Sequence, residues 1–507
     1  MAPILPAAPE HRDVLIIGAG LSGIGAAWHL QQRCPGRSYV ILEARGAIGG
    51  TWDLFRYPGI RSDSDMYTLG YAFKPWTNAK AIADGPSILQ YVRETAAEGG
   101  IEPNIRFGHR VLKAEWSTAD SRWTVTAEHE GKERTFTCSF LFACSGYYRY
   151  SAGYTPEFDG IEDFGGTLVH PQHWPQDLDY SGKKVVVIGS GATAVTLVPE
   201  LARKAAHVVM LQRSPTYMVS RPAEDRIANF LRKVLPAKTA YAVARWKNVL
   251  LQLWFFNLAR SRPQWVRERI LTRVREMVGD ACDVDTHFSP RYNPWDERLC
   301  LVPDEDLFAS IRNGSAEVVT ATIDRFVAGG IRLHDGRELQ ADIVVTATGL
   351  VLELLGGMSV VVDGRPVEFA DTISYKGMMY SDVPNMASSF GYTNASWTLK
   401  CDLTCEYVCR LLNHMKEHGQ VQATPRLGGK AMETRPWLDL KSGYITRAMQ
   451  KFPRQGAEKP WRLHQNFAKD LLEIRFSPIE DGVLELRRAP TAAAHQPAQV
   501  ANAAQAA

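Results

Sequence analysis

Short apolar runs alternate with helix-period segments twice in this chain, in the same order. Val14-Leu15-Ile16-Ile17 is followed by a glycine-rich turn and then by apolar positions at helical spacing from Leu21 to Gln32. Val185-Val186-Val187-Ile188 opens the second copy, and its helical pattern runs from Ala192 to Arg203. Apolar runs of this length, bounded by glycine, predict parallel strands covered on both faces. A second strand comes after each helix, at Tyr39-Val40-Ile41-Leu42 and at Val208-Val209-Met210-Leu211. The pattern predicts an α/β fold with two Rossmann-like dinucleotide-binding domains.

The turns that join strand to helix carry the candidate chemistry. The first is GAGLSG, with Gly18, Gly20 and Gly23 at the fixed positions; the second is GSGATA, with Gly189, Gly191 and Ala194. The first small residue makes the turn, the second lets backbone approach a pyrophosphate, and the third packs helix on strand. The helix N-terminus then offers free N–H groups to the phosphates. The two copies differ at the end of the second strand. Glu43 can accept from ribose hydroxyls, which suits FAD or NAD, whereas Arg213 with Ser214 suits the 2′-phosphate of NADPH. A chain holding both can pass a hydride between two cofactors.

Around these loops the pattern divides the chain into segments. Residues 1–148 are the expected first part of the FAD-binding domain, with antiparallel strands over Trp116–Thr126 and Thr135–Phe140 before a return strand at Phe140–Ala143. Residues 149–342 are the expected NADP-binding domain, with an ordered linker over 149–184 and a helical insertion over 224–280. Residues 343–488 would return to the FAD domain, and the Ala/Gln/Pro-rich tail 489–507 reads as disordered.

Composition narrows the partners. The 507 residues carry a net charge of +3, too near neutral to suggest nucleic acid. No apolar run approaches the roughly 18 residues of a spanning helix, and the early strand Val14–Ile17 leaves no room for a removable signal. The expected compartment is a reducing cytoplasm. The 8 cysteines include no CxxC pair, against a dithiol redox centre. Cys401, Cys405 and Cys409 share one helical face and read as core packing, so no metal site is expected. The insertion is less settled. Between Tyr241 and Val278 it has eight Lys/Arg and two Glu interleaved with Val249-Leu250-Leu251 and Leu253-Trp254-Phe255-Phe256. Weak peripheral membrane contact, a lid over a substrate tunnel, and a plain packed helical pair all fit.

Three longer motifs point to a family. Phe164, Gly166, His170, Trp174 and Pro175 fill every fixed position of FxGxxxHxxxWP. Gly49, Gly50, Trp52, Tyr57, Pro58, Gly59 and Asp63 fill GGxWxxxxYPGxxxD, and Asp342 to Gly349 matches DxxxxATG. On these residues, over about 12–490, the chain resembles the class B flavoprotein Baeyer–Villiger monooxygenases. Stretches such as GGTWDLFRYPGIRSDSDMYTLGY and NPWDERLCLVP resemble the bacterial ethionamide-activating subgroup.

The resemblance implies an NADPH- and O2-dependent enzyme in which FAD forms a C4a-peroxyflavin that converts ketones to esters or lactones, with sulfides and thioamides as further substrates. It implies Arg298 as the active-site arginine and Asp63 as the carboxylate that orients it. It places His170 and Trp174 in a linker that couples the two nucleotide domains. Gly50, Thr51 and Trp52 would lie along the flavin, and Asn394, opening the helix that bears the three cysteines, near its pyrimidine edge. One residue departs from the pattern: family members often have Lys before the arginine, to help bind the 2′-phosphate, and here it is Glu297. The NADPH preference then rests on Arg213 and Ser214. Two alternatives stay open: a flavin monooxygenase acting mainly on N or S centres, and a non-oxygenating NADPH–flavin reductase.

Overall fold

The computed structural model describes residues 9–429, 432–438 and 442–489. Both predicted units form around parallel strands. In the first, Glu10–Ile17 pairs in parallel with Tyr39–Leu42 on one side and with Lys132–Ala143 on the other. Alternate residues of this central strand feed two cores. Val14 and Ile16 pack toward the helix Leu21–Arg33, while Leu15 and Ile17 face Trp116, Trp123 and Met386. The nine-stranded sheet also takes Ser359–Val362 and Met386–Ser388 from the C-terminal segment.

The second unit is a five-stranded, all-parallel sheet in the order Ala316–Thr320, His207–Gln212, Lys184–Ile188, Ile343–Thr346, Thr167–Val169. One boundary differs from expectation. Ile343–Thr346 belongs to this second sheet, beyond the expected limit at 342, because its register with Val185–Ile188 completes the sheet before the chain departs. The linker contributes Thr167–Val169 as an edge strand.

The antiparallel strands differ too. The expected strand 116–126 is two strands, Arg110–Ser117 and Arg122–His129, and the expected return strand is the end of one 12-residue strand, Lys132–Ala143. The turn between the first two, Thr118-Ala119-Asp120-Ser121, has no Gly or Pro to announce it. Ser117 Oγ instead donates to Asp120, 2.7 Å away. The tail beyond residue 489 lies outside the described residues.

The insertion folds as helices Arg226–Val234, Ala237–Ser261 and Pro263–Val278. Although it interrupts the second unit, the middle helix docks on the first. Arg245, buried, donates to the carbonyls of Tyr67 and Gly70 at 2.8 Å and pairs with Asp402 at 3.3 Å. Asn248 donates to Asp65 at 2.9 Å. The helix Trp397–Glu417 is buried along most of its length, and Cys401, Cys405 and Cys409 lie inside it as free thiols. Burial pushes the Cys401 thiol up to about 12. Among the described residues no helix is long and apolar enough to cross a membrane.

Candidate active site between the two nucleotide loops

Both glycine loops open into one cavity of about 1420 Å3. That exceeds the ~300–1,000 Å3 of an ordinary single-ligand pocket. Gly18, Gly20, Glu43, Gly50, Thr51, Trp52, Asp63, Gly189, Gly191, Arg213, Ser214, Arg298 and Asn394 all line it. Residues from well-separated stretches of sequence therefore share one wall. Gly23 and Ala194 stand behind it, buried in helix–strand packing, as third small residues should.

The first loop is tightly built. Gly18 has φ +100°, and a Cβ there would stand 2.7 Å from the Cys144 carbonyl oxygen. A Cβ on Gly50 would come within 3.1 Å of Gly20 Cα, so these two glycines form a narrow backbone cradle. Glu43 is buried beside it and accepts from the N–H groups of Ala19 at 2.7 Å and Arg45 at 2.8 Å. Burial raises its pKa, and those two N–H groups oppose the rise. Farther along, Asn394 donates to the Gln465 carbonyl at 2.8 Å, leaving its Oδ1 buried without a partner. A cradle with no room for side chains, a buried acceptor and an orphaned amide oxygen fit a dinucleotide flavin, which offers a diphosphate, ribose hydroxyls and a ring N–H.

The second loop is open. Arg213 and Ser214 are exposed, and Arg213 forms no ion pair among the described residues. Ser190 ties the loop to this segment, 2.9 Å from the Thr216 hydroxyl and 3.2 Å from the Ser214 carbonyl oxygen to which it donates. Glu297 lies within electrostatic reach: burial raises its pKa and Arg213 holds it down. The dissenting carboxylate thus faces the residue expected to bind phosphate.

Between the loops, Arg298 approaches Asp63 at 3.2 Å, with 36% and 46% of the side chains exposed to the cavity. The Asp63 charge raises the arginine pKa above its ordinary value against burial, so the guanidinium stays charged. Three tyrosines that pattern reading does not single out surround it. Tyr147 and Tyr148 share a 2.5 Å hydroxyl contact, and Tyr444 comes from the far end of the chain. Burial pushes Tyr147 up to about 12, with Arg298 opposing, so its hydroxyl remains protonated. Tyr147 stacks on Trp397, with centroids 4.8 Å apart, and Trp397 donates to Ser22 at 2.8 Å. The GYYRY run after the first domain's return strand is the available signal, although aromatics there read equally as linker packing.

The FxGxxxHxxxWP residues stand outside the cavity wall. A Cβ on Gly166 would lie 2.4 Å from the Asp342 carbonyl oxygen, and Phe164 packs edge-on to Phe326. His170 accepts from the Gln172 N–H at 3.2 Å, and a Cβ on Gly153 would strike its ring. Burial lowers the His170 pKa, while the backbone of Gly349 and Tyr154 opposes that effect. Trp174 is buried, and Pro175 comes directly after it on the way to the strand Lys184–Ile188. The motif therefore ties the linker to Asp342–Gly349.

Known proteins similar to this chain show its family and fold. Residues 81–271 match the flavin-binding monooxygenase-like family model, and 16–84 match the NAD(P)-binding Rossmann-like domain. The chain is 56% identical over 482 residues to the FAD-containing monooxygenase EthA of Mycobacterium tuberculosis, covering 95% of this chain and 99% of that protein. It belongs to the FAD-containing monooxygenases. This monooxygenase is also 47% identical over 479 residues to the probable FAD-binding monooxygenase AlmA of an Acinetobacter species, covering 94% and 96% of the two chains. Its fold matches a solved oxidised steroid monooxygenase bound to NADP, with TM-score 0.74 and 22% identity over 94% of this chain and all of that one.

Proposed function

We propose that this monooxygenase uses NADPH and O2 to insert oxygen beside the carbonyl of a ketone, giving an ester or lactone. Gly18, Gly20, Glu43, Gly50, Thr51, Trp52, Asp63 and Asn394 hold FAD, with Gly23 setting the helix behind the loop. Gly189, Gly191, Arg213 and Ser214 hold NADPH, with Ala194 in the corresponding packing position. Phe164, Gly166, His170, Trp174 and Pro175 are positioning residues that fix the linker. When bound, the flavin accepts hydride and activates oxygen; the protein supplies orientation and charge.

The observation that carries the reading is the Arg298–Asp63 pair, set at 3.2 Å in the cavity that both loops share. Oxygen delivery to a ketone builds negative charge on the carbonyl oxygen. A permanently charged guanidinium, oriented by Asp63 and walled by aromatic side chains, is preorganised for that charge. Tyr147 and Tyr148 are held protonated by burial and hydrogen-bonded to each other, so they cannot withdraw the positive charge by ionising.

Sulfides and thioamides are softer acceptors that build no such oxyanion, so they depend less on Arg298. Arg298→Ala is expected to lower ester formation from a ketone by about 100-fold or more while the protein stays folded and yellow. Product identification by mass after incubation with NADPH and a ketone panel is the measurement. Ester formation at the parent rate would remove Arg298 from the reaction, and sulfoxide as the sole product of every substrate would replace the reading by sulfur oxidation.

A further inference from the structure

The insertion's outer face has the opposite polarity from that of an ordinary surface helix. In Arg226–Val234 the residues Ile227, Phe230 and Val234, one stripe at helical spacing, point to solvent, and Phe230 is 61% exposed. The next helix continues this with Val243, Trp246, Leu250 and Trp254, again one stripe and all exposed. Buried polar anchors such as Arg245 and Asn248 face inward from the same helix. Exposed apolar stripes on two packed helices, with Trp246 also touching the ring of Phe467, are the kind of feature that marks an interaction surface.

Charge selects the occupant. The 37 residues from Arg226 to Arg262 contain eight Lys/Arg and no Asp or Glu. Arg245, Lys247 and Arg260 are used in ion pairs within the protein. Arg226, Lys233, Lys238 and Arg262 are exposed and form no ion pair among the described residues. Within these two helices every free charge is basic, with Glu224 just before the first as the nearest exposed carboxylate, and an apolar face carrying that excess complements an anionic bilayer. A second copy of this chain would set basic rim against basic rim. The patch also reaches the active cavity: Leu251 and Trp254 are exposed and line its wall beside Phe255 and Trp295.

We propose that helices Arg226–Val234 and Ala237–Ser261 dock this enzyme on an anionic phospholipid surface, and that the cavity opens there to admit substrate dissolved in the bilayer. The docking half stands on the surface alone; the access half rests on the ketone-oxygenation reading.

The test uses the full-length, FAD-loaded protein sedimented with phosphatidylcholine vesicles, with or without phosphatidylglycerol. It is expected to pellet with the anionic vesicles and to be released by high salt. Lys233→Ala/Lys238→Ala should weaken partitioning about 30-fold, from roughly fivefold per basic residue and its loss of surface attraction. Phe230→Glu should also release the protein while keeping its flavin absorbance and melting temperature. Equal binding to neutral and anionic vesicles, or a concentration-dependent dimer that Phe230→Glu dissolves without vesicle binding, overturns docking. For access, Phe230→Glu should slow turnover of a long-chain ketone in vesicles and leave a short, water-soluble ketone unaffected; equal rates for the long-chain ketone overturn it. Vesicle binding with no turnover of any ketone would instead sink the oxygenation reading and leave docking intact.

Discussion

The two nucleotide loops share a fold but differ in how complete they are. In the first, the carboxylate of Glu43 is buried and already held by the N–H groups of Ala19 and Arg45. Its third glycine admits nothing larger, since a Cβ on Gly23 would stand 1.8 Å from the Gly18 carbonyl oxygen. In the second, a Cβ on Gly191 would meet nothing within 4 Å, the third position is already Ala194, and Arg213 stands in solvent. A loop finished before its ligand arrives suits a cofactor that stays. A loop whose charged group is exposed and unpaired suits one that must come and go with each turnover. On the proposed reading, ordering Arg213 would cost side-chain entropy at each binding event, limiting affinity and speeding release.

Substitutions at the third position should break this contrast most sharply. Gly23→Ala forces the helix off the strand and is expected to yield protein without bound flavin, seen as loss of visible absorbance at unchanged expression. If the variant keeps its flavin, the first loop is not the rigid one. Arg213→Ala should then raise the KM for NADPH about 10- to 100-fold, the worth of a charge-assisted phosphate contact, with kcat and the NADH parameters little changed. An equal loss with NADH would mean that Arg213 does not read the 2′-phosphate.

Glu297 offers a subtler probe of the open loop. Burial raises its pKa above that of an ordinary glutamate, so on acidification it gains its proton earlier. If Arg213 binds the 2′-phosphate as proposed, the carboxylate competes with it above that pKa, and below it the competition ends. The KM for NADPH should therefore fall as pH drops through this range, and Glu297→Gln should remove that component and lower KM a few-fold at neutral pH, with NADH as control for general effects. A pH profile unchanged by Glu297→Gln would separate the two residues. Smallest of all, Ala194→Gly should cost about 1 kcal/mol of stability, the helix-propensity difference, read by denaturant titration with flavin retained.

Local patterns are the legible part of this chain. Glu43 and Arg213 sit at fixed distances from their glycines, so strand, loop and specifier can be read from a window of about 30 residues. The proposed active cluster cannot, because Arg298, Asp63, Tyr147 and Tyr444 meet only after the two sheets assemble; motif resemblance supplies the first two, the GYYRY run marks Tyr147 no more than it marks linker packing, and no pattern marks Tyr444. The strand break at Thr118–Ser121 is invisible in the pattern because its turn is stabilised by side-chain hydrogen bonds rather than by Gly or Pro. Ile343–Thr346 ends in the second sheet rather than the first because an apolar strand does not say which neighbours it will pair with.

The cysteines gain a meaning from the chemistry that surrounds them. An enzyme that brings reduced cofactor and O2 together leaks oxidant whenever the substrate is late, and the first proteins exposed are copies of itself. Thiolates are the targets. Here every cysteine except Cys282 is buried, and burial holds Cys138, Cys144, Cys300, Cys401 and Cys405 in the unreactive thiol form. Cys300 stands in the wall of the active cavity, with its thiol pushed up to about 12. The packing that makes these residues part of the core thus also withholds their thiolates from that oxidant.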